Sequence, residues 1–226
     1  MSPWTSNLRA GCLYVSQKKV SAVKGSAAPV PARRTQEQRR AATRGAIVTA
    51  GRELFAEHGF AGVSREEIVT RAGVTRGAMH HYFATKELLF AAVYEEVERD
   101  LCLGVAGAAM PGKDAVDMLR MGAVAFLRAS ATDEVRRIIL QDGPAVLPRE
   151  THKQMAEQYG LGLIRATLQE VEDAGRLSVG PVEMLAPVFM GGLHEAANIV
   201  ADGGDAKKAI RLIEDLIASL TRPSGD

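Results

Sequence analysis

Acidic residues are missing from the front of this 226-residue chain, where Glu37 is the first. Residues 1–44 carry nine Lys and Arg against that one Glu. With a net charge of +1 overall, the remainder must carry −7. A basic front on an acidic body suits a polyanion partner, although charge alone favours a solubilising tail. Cysteine is equally scarce. Cys12 and Cys102 share no motif, which argues against a disulfide scaffold or a Cys-based zinc site and fits a reducing, cytoplasmic compartment. Aromatic residues are only 5% of the chain, so Ala, Leu, Val, Ile and Met must build most of the core. No apolar run approaches a membrane span in length.

Enzymatic signatures are missing as well. None of His58, His80, His81, His152 and His194 stands at metal-binding spacing. His194 and Glu195 are adjacent and so point about 100° apart on a helix. Ser64 has no nucleophile-elbow context, and the glycines form no phosphate loop. The sequence therefore predicts a non-enzyme without metal or cofactor.

What is present begins with a Ser-, Lys-, Ala- and Pro-bearing stretch over 1–34, where "KGSAAPVPARR" cannot sustain a helix. It is expected to be a disordered basic extension. Its Arg- and Ser-bearing, acid-free start also fits an organellar transit peptide, and an upstream start codon would produce the same stretch.

From Thr35 the pattern is helical. Thr35 is placed to cap a first helix that stops at Gly59, with Ile47, Ala50, Leu54 and Phe55 on one apolar stripe. Ser64 and Glu67 have capping-box spacing ahead of Ile68, Val69 and Ala72, and Gly73 ends that short helix. Thr75 caps a third helix, "RGAMHHYF", and Thr85 a fourth. Two short helices about a Gly-containing turn form a helix-turn-helix pattern. In the third helix Met79, Tyr82 and Phe83 share an inward face, while Arg76, Gly77, His80 and His81 project elsewhere. Gly77 and Ala78 keep the first turn slim enough for a DNA major groove.

Residues 45–90, "GAIVTAGRELFAEHGFAGVSREEIVTRAGVTRGAMHHYFATKELLF", resemble the DNA-binding domain of the TetR family of bacterial transcriptional regulators. The likeness runs through "LFAEHGF", "AGVTRGA" and the F-x-x-K-E-x-L entry to the fourth helix. It implies an all-α homodimer that binds a palindromic operator on double-stranded DNA, usually represses, and is released by a small molecule. It implies phosphate or base contacts for Ser64 and Arg65, a recognition-helix lead of Thr75, Arg76, Gly77 and Ala78, and groove or phosphate contacts for His81 and Lys86. His80 stands where the family usually has Tyr, and could donate to phosphate in its place.

The rest of the chain is also helical, with breaks at Gly143-Pro144, near Gly175 and in the Gly203-Gly204 region. Pro148 is expected to open one long helix and Pro181 to sit at the first helical position of another. About nine helices result, divided into the extension 1–34, a DNA-binding domain 35–90 and a regulatory and dimerisation domain 91–226. Leu185, Val188, Phe189, Gly192, Ala196 and Ile199 form one apolar stripe. Ala209, Ile210, Ile213, Leu216, Ile217 and Leu220 form another. The resemblance makes these the dimer interface. Met118, Met121, Phe126, Met155, Tyr159 and Phe189 could line a small-molecule pocket, with His152, Gln158, His194 and Asn198 orienting a polar group. Core packing explains the same residues equally well. The competing reading is a helical ligand- or protein-binding module without DNA contact.

Overall fold

A computed structural model describes residues 35–222. The expected extension over 1–34 lies outside the described residues. The chain divides into two units between Ala41 and Ala42. In the first, Thr35 and Gln38 close a reciprocal cap: Gln38 N–H donates to Thr35 Oγ1 at 3.2 Å, and Thr35 N–H donates to Gln38 Oε1 at 3.0 Å.

Ten α-helices and one π-helical segment make up the described residues: α1 (Gln36–His58), α2 (Arg65–Ala72), α3 (Arg76–Tyr82), α4 (Lys86–Ala109), α5 (Ala115–Ala129), the π-helical Val135–Asp142, α6 (Gly143–Val146), α7 (Arg149–Gln158), α8 (Gly160–Asp173), α9 (Val182–Ala201) and α10 (Ala206–Leu220). Their only extended pairing is an isolated antiparallel bridge between Leu177 and Thr221. The fold is all-α, as the periodicity predicts. The 90/91 boundary falls inside α4, which runs unbroken from the helix-turn-helix into the larger helical body.

The core starts where the aromatics are. Phe90 of α4 meets Phe55 of α1 edge-on at 5.4 Å and Phe60 at 5.2 Å. Such tilted pairs contribute about 0.5–1.5 kcal/mol beyond the area they bury. Around them Ile47, Ile68, Met79, Leu89 and Val93 are closed to solvent.

Three sequence expectations are corrected. The long helix after Pro148 is two helices, because Tyr159 leaves helical geometry (φ −116°, ψ −98°). A Cβ on Gly162 would lie 2.3 Å from the Glu157 carbonyl oxygen, an approach that only glycine permits. Pro181 stands one residue outside α9 rather than at its first helical position. Finally, α9 is long and apolar enough to cross a membrane by length and composition alone. Its apolarity serves two faces. Val182, Ala186, Phe189, Leu193, Ala196 and Ala197 are buried, while Met184, Val188 and Ile199 are exposed.

Candidate nucleic-acid interface

The second and third helices are each fixed by their own first turn. Ser64 Oγ accepts the Glu67 N–H at 3.2 Å, and Glu67 Oε2 accepts from both the Ser64 N–H and the Ser64 hydroxyl at 2.7 Å. The Ser64 hydroxyl holds the Glu67 carboxyl below its ordinary value, so the cap stays charged at neutral pH. Gly73 ends α2 at φ 63°, in the left-handed region, and its N–H turns back onto Thr70. Thr75 Oγ1 accepts from Ala78 N–H at 3.1 Å and so starts α3.

One face of α3 is sealed and the other open. Met79 and Phe83 are buried and Tyr82 is half-buried, whereas Thr75, Arg76, Gly77, His80 and His81 are exposed and Ala78 is partly so. A Cβ on Gly77 would meet nothing nearer than Thr75 Oγ1 at 3.9 Å. The Arg76 side chain is 78% exposed, and its Nη2 stands 3.5 Å from Glu66 Oε1. His81 packs edge-on against the Tyr82 ring at 5.1 Å.

The basic residues flanking this face behave differently from one another. Arg65 donates to the carbonyl oxygens of Phe83 and Ala84, tying α2 to the turn before α4. Lys86 Nζ donates to the Phe60 and Val63 carbonyls, both at 2.8 Å, and lies 4.1 Å from the centre of the Phe60 ring. Both cations therefore hold the α1–α2 and α3–α4 connections in place. Arg44 is a residue that the sequence reading missed. It is exposed on α1, with its guanidinium 5.2 Å from the Phe83 ring centre, beside the end of α3. Its phase was visible, because it lies three residues before Ile47 on the flank of the apolar stripe.

Of the residues put forward for a pocket, Phe126 and Phe189 lie in the core and Met155 packs against it. Phe126 and His194 stack at 5.5 Å. Burial pushes the His194 imidazole down to about 4, so it is neutral at physiological pH. Tyr159 instead reaches α4, donating to Glu95 Oε1 at 3.2 Å. Met118 packs on the α4–α5 turn, with its Cγ 2.6 Å from where a Cβ on Gly112 would stand. Met121 and Met155 are half-buried, and Phe189 belongs to the core. No group of three or more His, Cys, Asp or Glu side chains could hold a metal among the described residues.

Comparison with known proteins gives two family matches. The profile described as bacterial regulatory proteins, tetR family, matches residues 47–93. The profile described as tetracyclin repressor-like, C-terminal domain, matches residues 116–223. The HTH-type transcriptional regulator CymR of Pseudomonas putida is 40% identical over 65 residues, covering 29% of this chain and 32% of its own length. The HTH-type transcriptional regulator AcrR of Shigella flexneri is 32% identical over 111 residues, covering 49% of this chain and 51% of its own. These alignments thus span about a third to a half of the curated relatives. A TetR-family regulator structure from Pectobacterium atrosepticum superposes with a TM-score of 0.69 at 24% identity, covering 84% of this chain and 99% of that one.

Proposed function

We propose that this chain, which belongs to the TetR family of bacterial regulatory proteins, is a DNA-binding transcriptional regulator that acts as a homodimeric repressor, binds a palindromic operator and is released by a small molecule. The observation that carries this reading is α3. Its back is sealed by Met79 and Phe83 while its front offers Arg76, Gly77, Ala78, His80 and His81 to solvent, with no bulky aliphatic in the way. A major groove accepts such a helix with its N-terminal residues nearest the base edges. In this reading Arg76 reads a base edge or an adjacent phosphate. His80, His81 and Arg44 contact the backbone, and the turns capped by Ser64 and Thr75 approach phosphates. Arg65 and Lys86 contribute by holding those turns in register. Residues 35–90 form the reading head, and residues 91–226 carry effector binding and dimerisation.

Purified full-length protein should shift DNA flanking its own gene. Competition with unrelated DNA should leave a specific complex at salt concentrations that abolish non-specific binding. Binding that is equally weak on every sequence would favour the alternative, a helical ligand- or protein-binding module.

A further inference from the structure

The described residues contain one buried carboxylate without a countercharge. Glu98 lies on α4, 5% exposed, on the inward stripe with Phe90, Tyr94 and Leu101. Among the described residues no Lys or Arg forms an ion pair with it; it faces the backbone N–H of Gly160, where the chain breaks between α7 and α8. Space beside Gly160 is tight. A Cβ on Gly160 would stand 3.1 Å from Glu98 Oε1 and 2.8 Å from the Met190 methyl of α9. Helix α7 contains no buried residue, and α8 has none before Thr167. Met155, Leu161 and Ile164 pack on the core yet stay partly accessible. Two aromatic pairs flank the region, Tyr94 with His152 at 5.7 Å and Phe126 with His194 at 5.5 Å.

We propose that Glu98 recognises the head group of the effector, and that the effector is an amphiphile with a cationic head and an apolar body. This rests on the reading that a small molecule binds within residues 91–226. A carboxylate removed from water costs free energy until a cation and further hydrogen bonds compensate it. Among the described residues the protein supplies one N–H and no cation. Neither histidine provides the charge, because burial lowers the basicity of His152 and of His194. A ligand cation would complete the site. An anionic head would meet the Glu98 charge, and a neutral one would leave it uncompensated. The half-closed Met155, Leu161 and Ile164 suit an apolar body.

The test uses four probes with one apolar body: 4-phenylbutylamine, its N,N,N-trimethylammonium analogue, 4-phenylbutanol and 4-phenylbutyrate. Each is titrated into the full chain at pH 8 by calorimetry. The two cations should bind at least tenfold more tightly than the alcohol and the carboxylate. Glu98→Gln should erase that preference while still binding the alcohol, which also reports that the variant is folded. If the alcohol or carboxylate binds wild type as tightly as the cations, or Glu98→Gln keeps the preference, the cationic assignment is overturned and the small-molecule site stands. If no probe binds at millimolar concentration, both fail.

Discussion

Arg76 and Gly77 separate folding from function at the scale of single residues. The nearest charge to Arg76 is Glu66 at 3.5 Å, and the pair is exposed, so it contributes at most about 1 kcal/mol to stability. Arg76→Ala should therefore fold normally. It should lose about 1–3 kcal/mol of operator binding if Arg76 makes a bidentate base contact, with relaxed preference at one position per half-site. At Gly77 a Cβ meets nothing nearer than Thr75 Oγ1 at 3.9 Å, so Gly77→Leu should likewise unfold close to the wild-type temperature while losing the operator. Retention of full operator affinity by both variants would remove α3 as the reading element. Glu98 gives the opposite kind of residue, one whose environment shows in stability. Burial pushes its carboxyl up from 4.5 to about 7, against a smaller opposing effect of the Gly160 N–H. The folded protein thus holds a proton that the unfolded chain releases near pH 4.5. The cost of ionising Glu98 is absent below that pH, grows between 4.5 and 7, and is constant above, reaching about 3 kcal/mol. Glu98→Gln should gain stability over wild type by about that amount between pH 4.5 and 8 in urea titrations. A pH-independent difference would mean that the carboxylate is solvated.

Elements show which parts of the fold were legible. The capped helices α2, α3 and α4 could be read from Ser64, Thr75 and Thr85, because a cap is a local hydrogen bond written in a few adjacent residues. The π-helical Val135–Asp142 could not. Its sequence has ordinary helical periodicity, and its ends are tied by distant residues. Arg52 forks onto Glu134 at 2.6 and 2.9 Å while also holding Asp100 of α4 at 2.6 Å. Arg137 donates to the Glu57 carbonyl, and Asp142 Oδ2 accepts the Phe60 N–H at 2.6 Å. None of these links spans fewer than 48 residues. Glu98 had a partial signal, a Glu on an otherwise apolar stripe, but its missing countercharge is a property of the packed body. The π segment ends where Gly143 passes beneath Tyr94. A Cβ there would stand 2.4 Å from Tyr94 Cε2 and 3.1 Å from the Ile138 carbonyl oxygen. Gly143→Ala should cost about 1–3 kcal/mol through overpacking, lowering Tm by several degrees. Gly107→Ala in α4, where a Cβ meets nothing within 4 Å, should instead raise stability by about 0.5–1 kcal/mol through helix propensity. Thermal denaturation of both variants checks the contrast. Equal shifts would contradict the close approach at Gly143.

At the scale of the whole molecule, the two final stripes read from the sequence turn out to be mixtures. Ile213 and Ile217 of α10 and Phe189 and Ala196 of α9 are turned into the core. Val188 and Leu216 of those stripes remain 71% and 41% exposed, and beside them Met184 and Leu212, outside the stripes, are 69% and 58% exposed. Periodicity alone cannot divide such a stripe, because a helix buried on two faces looks the same whether the second partner is its own chain or another copy. Five exposed large apolar side chains on two neighbouring helices, counting Ile199, form a surface that water disfavours. A second copy packing the same face against itself is the closed, self-complementary arrangement that two-fold dimers use. The six Lys and Arg of residues 1–34 act on a separate quantity. Deleting the segment should flatten the log-affinity against log-salt slope without changing operator choice, and an equal slope would make it a bystander. In the proposed dimer this face would set the operator geometry. Two reading heads must sit one helical turn apart for both half-sites to be engaged, so a monomer binds a half-site alone and loses the linked second contact. Val188→Asp with Leu212→Asp places charge on this face without touching the core. The double variant should keep wild-type helicity by circular dichroism, run as a monomer in sedimentation equilibrium at micromolar concentration, and bind a full palindrome at least tenfold more weakly than wild type. Its affinity for an isolated half-site should match that of wild type. A double variant that stays dimeric would move the interface off α9 and α10, and a monomeric one with undiminished palindrome affinity would show that the two heads read DNA independently.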